Sequence, residues 1–154
     1  MFIVIVGPDG AGKTTLTNQL VKQTGFETMK WNKPKDEEEK DRMFQDYCQV
    51  LVHKNNIIFD RFVYCEQVYG TIMRDKSQLS YSDICHIEYL LSLKGAIIIH
   101  CTDELDILWE RCVARGESYI TDKETLGKIK DGYHQLFKTQ RNIPVVEYKV
   151  KSDD

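Results

Sequence analysis

The residues best suited to chemistry form one glycine-rich segment. Residues 7–14 read Gly-Pro-Asp-Gly-Ala-Gly-Lys-Thr and match G-x4-G-K-[ST], the pattern of a phosphate-binding P-loop. Glycines at these positions let backbone N–H groups converge on phosphate oxygens, and a helix that starts beside them adds the positive end of its dipole. The segment therefore predicts binding of the phosphates of a nucleoside triphosphate.

Two side chains of the loop have distinct expected roles. Lys13 is expected to reach the β and γ phosphates, and the Thr14 hydroxyl to bind the Mg²⁺ that accompanies ATP. Thr15 follows directly, and the pattern leaves open whether it packs within the helix or makes a further phosphate contact. We expect the nucleotide to be bound by Gly7, Asp9, Gly10, Ala11, Gly12, Lys13, Thr14 and Thr15.

A carboxylate and a guanidinium lie side by side further along the chain. Asp60 ends the apolar run at 57–60, and Arg61 follows it. Arginine offers phosphate oxygens a planar, bidentate fork, and a carboxylate beside it stays ionised. The pair is therefore a second candidate for contact with a phosphorylated ligand.

These residues need elements that hold them at one edge of a sheet. Short apolar runs rich in β-branched residues predict strands, and apolar positions at helical spacing predict helices. The predicted strands are residues 2–6, 26–31, 57–60, 96–99 and 144–146. The predicted helices are residues 13–24, 36–53, 63–73, 81–93, 104–115 and 121–141.

The order of these elements predicts the fold. Strands and helices alternate, and the strands are almost continuously apolar, which is typical of a parallel sheet covered on both faces. We expect an α/β fold of the P-loop NTPase type in a single domain over residues 1–154, with three layers, αβα, around a five-stranded parallel sheet. In such sheets, ligands bind outside the carboxyl ends of the strands.

Composition and charge exclude several classes of function. The chain has 154 residues, of which 42% are hydrophobic and 29% charged, as in an average soluble domain. Its longest apolar runs fall far short of the roughly 20 residues of a membrane span, so we expect no membrane partner. Five scattered cysteines without a CxxC pair argue against a disulfide framework and a zinc site, and favour the cytoplasm. A net charge of −3 argues against stable nucleic-acid binding.

The two motifs together resemble a known group of kinases. Residues 7–15 followed by Phe-Asp-Arg-Phe at 59–62 resemble thymidylate kinases and the related deoxynucleoside kinases, in which an Asp-Arg or Glu-Arg pair follows the third strand. The resemblance implies an enzyme, a nucleoside or nucleotide kinase that uses ATP and Mg²⁺. It also implies that Arg61 binds the acceptor and that Asp60 lies near Mg²⁺ or the acceptor oxygen.

A segment after this pair resembles the part of these kinases that contacts the acceptor base. The segment comprises residues 63–70, and the resemblance implies base contacts from Tyr64, Gln67 and Tyr69. The same pattern suits packing within a helix, so both interpretations stay open.

Residues 111–117 resemble the lid of these kinases. The resemblance implies that Arg111 and Arg115 close over the transferring phosphoryl group and stabilise its charge. Their spacing of four places both arginines on one face of a helix. An exposed, solvated helix face is the alternative interpretation of the same two residues.

The patterns leave the acceptor open. Residues 30–34 read Lys-Trp-Asn-Lys-Pro where thymidylate kinases carry an Arg-Glu-Pro-Gly-like turn, so the acceptor pocket is expected to differ. We predict phosphoryl transfer to a deoxynucleoside monophosphate, with a deoxynucleoside kinase acting on the 5′-hydroxyl as the close alternative. A kinase of modified DNA, a nucleotide-binding regulator without transfer activity, a homodimer and a phage-encoded source also stay open.

Overall fold

The computed structural model describes residues 1–30, 32, 34–74, 79–116, 120–139 and 141–150. Within these residues the chain forms five strands and six helices. The strands are β1 Phe2–Val6, β2 Glu27–Lys30, β3 Ile57–Asp60, β4 Ala96–Cys101 and β5 Val145–Tyr148. The helices are α1 Lys13–Thr24, α2 Glu37–His53, α3 Val63–Arg74, α4 Tyr81–Leu93, α5 Leu105–Arg115 and α6 Lys123–Lys138.

The strands form one parallel sheet in the order β2-β3-β1-β4-β5. Ile5 of β1 is in register with Asp60 of β3, and Val6 with His100 of β4, so the carboxyl ends of these strands meet at one edge. β1 is central and fully buried, with β3 on one side and β4 on the other. In α/β sheets, ligands bind in the crevice outside the carboxyl ends of the strands, where the strand order reverses. The predicted three-layer α/β fold with a five-stranded parallel sheet is confirmed.

The fourth strand is longer than the sequence predicts. β4 continues to Cys101, two residues past the predicted end at 99. Polar His100 stays in the ladder because its ring packs against α6, with centroid distances of 5.8 Å to Tyr133 and 5.1 Å to Phe137. The predicted strand, residues 96–99, therefore ended too early because the apolar pattern stops at the histidine.

The two edge strands also differ from the prediction at their ends. β5 ends at Tyr148, because this residue is in register with Cys101 at the end of the longer β4. β2 begins at Glu27, one residue after the predicted start. Trp31, the predicted end of that strand, lies outside the described residues.

The last helix is shorter than the predicted 121–141. The Asp122 side chain accepts a hydrogen bond from the Thr125 N–H and so caps α6 at Lys123. The helix ends at Lys138, because Thr139 has an extended backbone.

No helix in the described part of the chain has both the length and the apolar character that crossing a membrane requires.

Aromatic packing holds the end of β3. The rings of Phe59 and Phe62 lie 4.6 Å apart, and Tyr47 of α2 lies 5.7 Å from Phe59. All three side chains are buried. Because the two phenylalanines flank Asp60 and Arg61, this packing fixes the turn to which that pair belongs.

Gly132 lets α6 approach α3. A Cβ atom on Gly132 would lie 3.0 Å from Val68 Cγ1 and 3.1 Å from Ile72 Cδ1. We expect Gly132→Val to lower the free energy of unfolding by about 1–3 kcal/mol, because the larger side chain must push the two helices apart. Urea unfolding measures this loss. Gln135→Val, on the exposed side of the same helix, is the control for helix propensity, and an equal loss in both variants would contradict the packing argument.

Candidate active site

The P-loop connects β1 to α1 at the carboxyl edge of the sheet. Gly7 and Gly10 have positive φ angles of 151° and 82°. A Cβ atom on Gly7 would lie 2.0 Å from the Cys101 carbonyl oxygen, and one on Gly10 would lie 2.6 Å from the Leu108 carbonyl oxygen. Glycine is required at both positions, because any side chain would displace neighbouring backbone. The loop is therefore held between the end of β4 and α5.

The Lys13 side chain folds back on the loop. Its Nζ donates to the carbonyl oxygens of Gly7 and Pro8, at 2.7 and 2.9 Å, and the residue is 8% exposed. Burial lowers the pKa of the ammonium, the Cys65 thiol opposes this shift, and the Arg61 guanidinium adds to it. An ammonium has three N–H donors, and the two carbonyls occupy two of them. The third is the donor with which Lys13 can meet a phosphate oxygen.

The threonines after the lysine differ in exposure. Thr14 and Thr15 are exposed in the first turn of α1. Thr17 is buried, and its hydroxyl donates to the Lys13 carbonyl oxygen at 2.8 Å. The first two hydroxyls are thus accessible to a ligand at the edge of the sheet, whereas the Thr17 hydroxyl is bound to the helix backbone.

Asp9 of the P-loop is bound by a tyrosine from α3. The Tyr69 hydroxyl donates to Asp9 Oδ1 at 2.7 Å, and Asp9 is 7% exposed. Burial raises the pKa of Tyr69 well above its usual value, and the Asp9 carboxylate raises it further. Tyr69 therefore stays protonated and acts as a donor to the loop. The sequence predicted it as a base contact, and its hydroxyl here contacts the P-loop.

We expect Tyr69→Phe to raise the KM for ATP by roughly tenfold or more. The change removes a hydrogen bond to a buried carboxylate, worth about 1.5–3 kcal/mol, and so loosens the loop. Steady-state kinetics at saturating acceptor measure the effect. Tyr133→Phe is the control, since it removes a buried hydroxyl from the neighbouring ring, 6.3 Å away, and leaves the bond to Asp9 in place. An unchanged KM in Tyr69→Phe would contradict this role.

Asp60 and Arg61 lie at the same edge, at the end of β3. Asp60 is half-buried and in register with Ile5 of β1 and Lys30 of β2. Arg61 has a φ of 65°, which is uncommon for a residue with a side chain, and its N–H donates to the Ile5 carbonyl oxygen at 3.0 Å. Its side chain is exposed. Such a backbone costs about 1–2 kcal/mol, so the packing around this turn must hold it in place.

A cavity of about 600 Å³ opens beside Asp60. Thr17, Asn18 and Val21 of α1 form one wall, and β2, up to Lys30, forms the facing wall. The lining is mixed, with polar side chains near the carboxyl edge of the sheet. The cavity is large enough to receive part of a nucleotide beside Asp60.

Arg111 of the predicted lid contacts the P-loop backbone. Its Nη1 donates to the Gly10 carbonyl oxygen at 3.1 Å, and its Nη2 lies 3.3 Å from Asp103 Oδ2. Nη2 also lies 3.4 Å from the Val150 carbonyl oxygen. Arg111 thus joins α5, the loop and the segment after β5.

Arg115 is exposed in the last turn of α5, one turn beyond Arg111. Glu117, at the end of the predicted lid segment, lies outside the described residues. The structure therefore brings one of the two lid arginines to the loop, and the role of Arg115 stays a prediction.

The predicted base contact at Tyr64 needs correction. Tyr64 is 0% exposed, and its hydroxyl donates to Glu88 Oε1 at 2.6 Å. Tyr64 lies in the first turn of α3, and its ring packs on Phe137 of α6. Gln67 is half-buried and lines a separate cavity of about 470 Å³ with Glu88, so its contact with a base stays a prediction.

One residue near the loop was missed in the sequence. Asp103 is 8% exposed, and it binds Arg111. It lies two residues after β4, whereas Asp60 is the last residue of β3, and the predicted fourth strand ended at 99, four residues earlier. A carboxylate just beyond a buried strand was the signal available in the sequence.

Comparison with known proteins identifies a matching family and a relative. The family model of polyphosphate kinase 2 (PPK2) matches residues 1–111, which include the P-loop, Asp60 and Arg61. YorR, an SPbeta prophage-derived protein of Bacillus subtilis (strain 168), is 26% identical over 134 residues, which span 87% of this chain and 80% of YorR.

Solved structures share the fold. YorR in complex with phosphorylated GDP superposes with a TM-score of 0.82 at 22% identity, covering 97% of this chain and 85% of that chain. Deoxyadenosine kinase from M. mycoides has a TM-score of 0.66 at 21% identity, covering 97% and 90%. Polyphosphate kinase 2 from Arthrobacter aurescens TC1 has a TM-score of 0.65 at 15% identity, covering 95% and 59%.

The predicted P-loop kinase is confirmed, and the chain is a phosphotransferase. The family found differs from the thymidylate kinases that the motifs resemble, although the fold is shared with nucleoside kinases. Because the family model matches 111 of the 154 residues, the chain belongs to the polyphosphate kinase 2 family.

Proposed function

We propose that this protein transfers the terminal phosphoryl group of ATP to the phosphate of a deoxynucleoside monophosphate. The strongest support is a pair of cations at the carboxyl edge of the sheet. Lys13 belongs to the P-loop, and Arg61 is exposed at the end of β3, near enough to add to the effect of burial on the pKa of Lys13. Two separate cations at one edge suit two phosphorylated substrates.

The donor nucleotide would be bound by the P-loop. Backbone N–H groups of the loop and the start of α1 face the phosphates, and Lys13 supplies its third N–H donor. Arg111 donates a hydrogen bond to the Gly10 carbonyl oxygen and is itself paired with Asp103, which helps to hold the loop in place. Thr15 is exposed in the first turn of α1 and can add a hydroxyl contact.

Two oxygen ligands at this edge suit Mg²⁺. The Thr14 hydroxyl is exposed after the loop, and the half-buried Asp60 carboxylate ends β3. Hydroxyl and carboxylate oxygens are the ligands that this hard cation prefers. When bound, Mg²⁺ neutralises charge on the phosphate oxygens.

The acceptor would lie with its phosphate at Arg61. The guanidinium fork can hold two of its oxygens, while the cavity beside Asp60 receives the sugar and base. A phosphate fixed in this way is positioned for in-line attack on the donor, and positioning is the main contribution of protein to phosphoryl transfer.

Transfer to a deoxynucleoside is the second candidate. Its support is the similarity in fold to deoxyadenosine kinase from M. mycoides. In that case Asp60 would accept the proton of the 5′-hydroxyl, and Arg61 would bind the transferring phosphoryl group. The two candidates therefore differ in whether Arg61 needs a phosphate on the acceptor.

The donor also needs testing. The family is named for polyphosphate, and the YorR structure contains phosphorylated GDP, so polyphosphate and GTP join ATP as candidate donors. All three present a terminal phosphoryl group that a P-loop can cradle.

Product formation with a panel of acceptors tests the proposal. Each deoxynucleoside and its 5′-monophosphate is incubated with each donor and Mg²⁺, and products are separated by anion-exchange chromatography. We expect turnover with one or more monophosphates. Turnover with nucleosides alone would favour the second candidate. Turnover with neither would contradict both and favour a polymeric acceptor or a binding role.

A further inference from the structure

A second cluster of polar side chains lies where β4, β5 and α6 meet. His100 of β4 and Glu147 of β5 are in register on neighbouring parallel strands, so their side chains lie on the same face of the sheet. His134 of α6 lies over them, and the two imidazole rings are 5.2 Å apart. One nitrogen of each histidine and one oxygen of Glu147 lie within 4.8 Å of one another.

One ring nitrogen of His100 is buried without a hydrogen-bond partner in the described part of the chain. The residue is 2% exposed, and its Nε2 has no hydrogen-bond partner among the described residues. Buried polar atoms are nearly always paired with protein, water or an ion. An imidazole nitrogen without a partner is a common metal ligand in proteins.

We propose that His100, His134 and Glu147 bind a divalent transition-metal ion such as Zn²⁺. Two imidazoles and one carboxylate form a ligand set that zinc accepts, with a fourth position for water. The Glu147 carboxylate adds negative charge to the cluster, which favours a cation, whereas the positive charge of the Lys130 ammonium disfavours one. The scattered cysteines argued against a zinc site, but these ligands come from three elements that only the fold brings together.

The ion would tie the edge strand to the rest of the sheet. β5 is at the edge, and three of its four residues are exposed. The Tyr148 carbonyl accepts from the Thr102 N–H, and Val150 beyond it packs against Gly12 of the P-loop. A metal at Glu147 would therefore stabilise the segment that contacts the loop. None of the three proposed ligands is among the residues assigned above to the nucleotide or the acceptor.

Titration of the full-length protein with Zn²⁺ tests this site. Isothermal titration calorimetry in the presence of a phosphine reductant is expected to give one Zn²⁺ per chain, and the Tm is expected to rise with the ion. His134→Gln and Glu147→Gln should each weaken binding by roughly 10- to 100-fold or more and remove the rise in Tm. Both side chains reach the surface, so the variants are expected to fold, which circular dichroism without metal verifies.

Matched controls separate this site from weak surface binding. His53→Gln and Glu110→Gln change exposed residues on α2 and α5 and should leave Zn²⁺ affinity unchanged. Co²⁺ in place of Zn²⁺ should give d–d bands without thiolate charge transfer, since no cysteine is in the cluster. Absence of saturable binding, equal affinity in the His134 and Glu147 variants, or a thiolate band would overturn the proposal.

Discussion

Lys13→Ala is expected to abolish phosphoryl transfer, lowering kcat by roughly 10³-fold or more. The ammonium is the cation of the P-loop, and its third N–H donor faces no carbonyl of the loop, so it is available to the γ phosphate. Charge develops on the phosphate oxygens during transfer, and a fixed cation beside them stabilises that state more than the ground state. Initial rates of ADP release at saturating ATP and acceptor measure the loss.

Two further variants distinguish catalysis from loop structure. Lys13→Ala also leaves the Gly7 and Pro8 carbonyl oxygens without their donor, so thermal unfolding must accompany the kinetics. Lys13→Arg retains a cation that can meet those carbonyls. Lys22→Ala, exposed in the last turn of the same helix, is the control and should keep full activity. Transfer that survives Lys13→Ala in a folded protein would show that the phosphates bind elsewhere.

Arg61→Ala is expected to raise the KM for the monophosphate acceptor by about 100-fold and to leave the KM for ATP unchanged. Loss of a bidentate, charge-assisted pair removes about 1.5–3 kcal/mol per hydrogen bond, and each 1.4 kcal/mol is tenfold in affinity. Arg61 is exposed at the end of β3, so little of the effect should come from lost packing. Kinetics with each substrate varied in turn measure the split.

The unusual backbone at this position supplies a sharp control. Arg61 has a φ of 65°, a conformation that strains alanine but not glycine. If the side chain binds the acceptor, Arg61→Gly and Arg61→Ala should raise the KM equally. A normal KM in Arg61→Gly would assign the effect to backbone strain. Arg42→Ala, an exposed arginine of α2, should leave both KM values unchanged. Equal loss of ATP and acceptor binding would remove Arg61 from the acceptor site.

The sheet was predictable from the sequence because its strands are local patterns. β1 and β3 were predicted at their observed bounds, since each is an apolar run that ends at a glycine or a carboxylate. β4 was not, because the ladder continues through His100 and Cys101, and the packing of His100 on α6 is a contact between distant parts of the chain. A local hydrophobic pattern therefore predicts a buried strand segment only where the buried residues are apolar.

The candidate site also has some residues that local sequence predicts and others whose positions depend on the packing of the fold. The P-loop could be predicted from residue spacing alone, because its glycines, lysine and threonine all lie within eight consecutive residues. Tyr64 and Tyr69 resemble each other in the sequence, yet one faces Glu88 in the core and the other faces Asp9 of the loop. Which side of α3 meets the loop depends on how the helix packs. The contact of Arg111 with Gly10 likewise joins residues 101 positions apart.

Transfer to a monophosphate and transfer to a deoxynucleoside give different products. The most direct test is ³¹P NMR of a reaction containing the protein, ATP, Mg²⁺ and an equimolar mixture of a deoxynucleoside and its 5′-monophosphate, repeated for each base. Each transfer releases ADP, so we expect the phosphomonoester resonance to fall while two diphosphates form for each ATP consumed and the deoxynucleoside is unchanged. A rise of the phosphomonoester resonance, with only one diphosphate formed for each ATP consumed, would contradict transfer to a monophosphate.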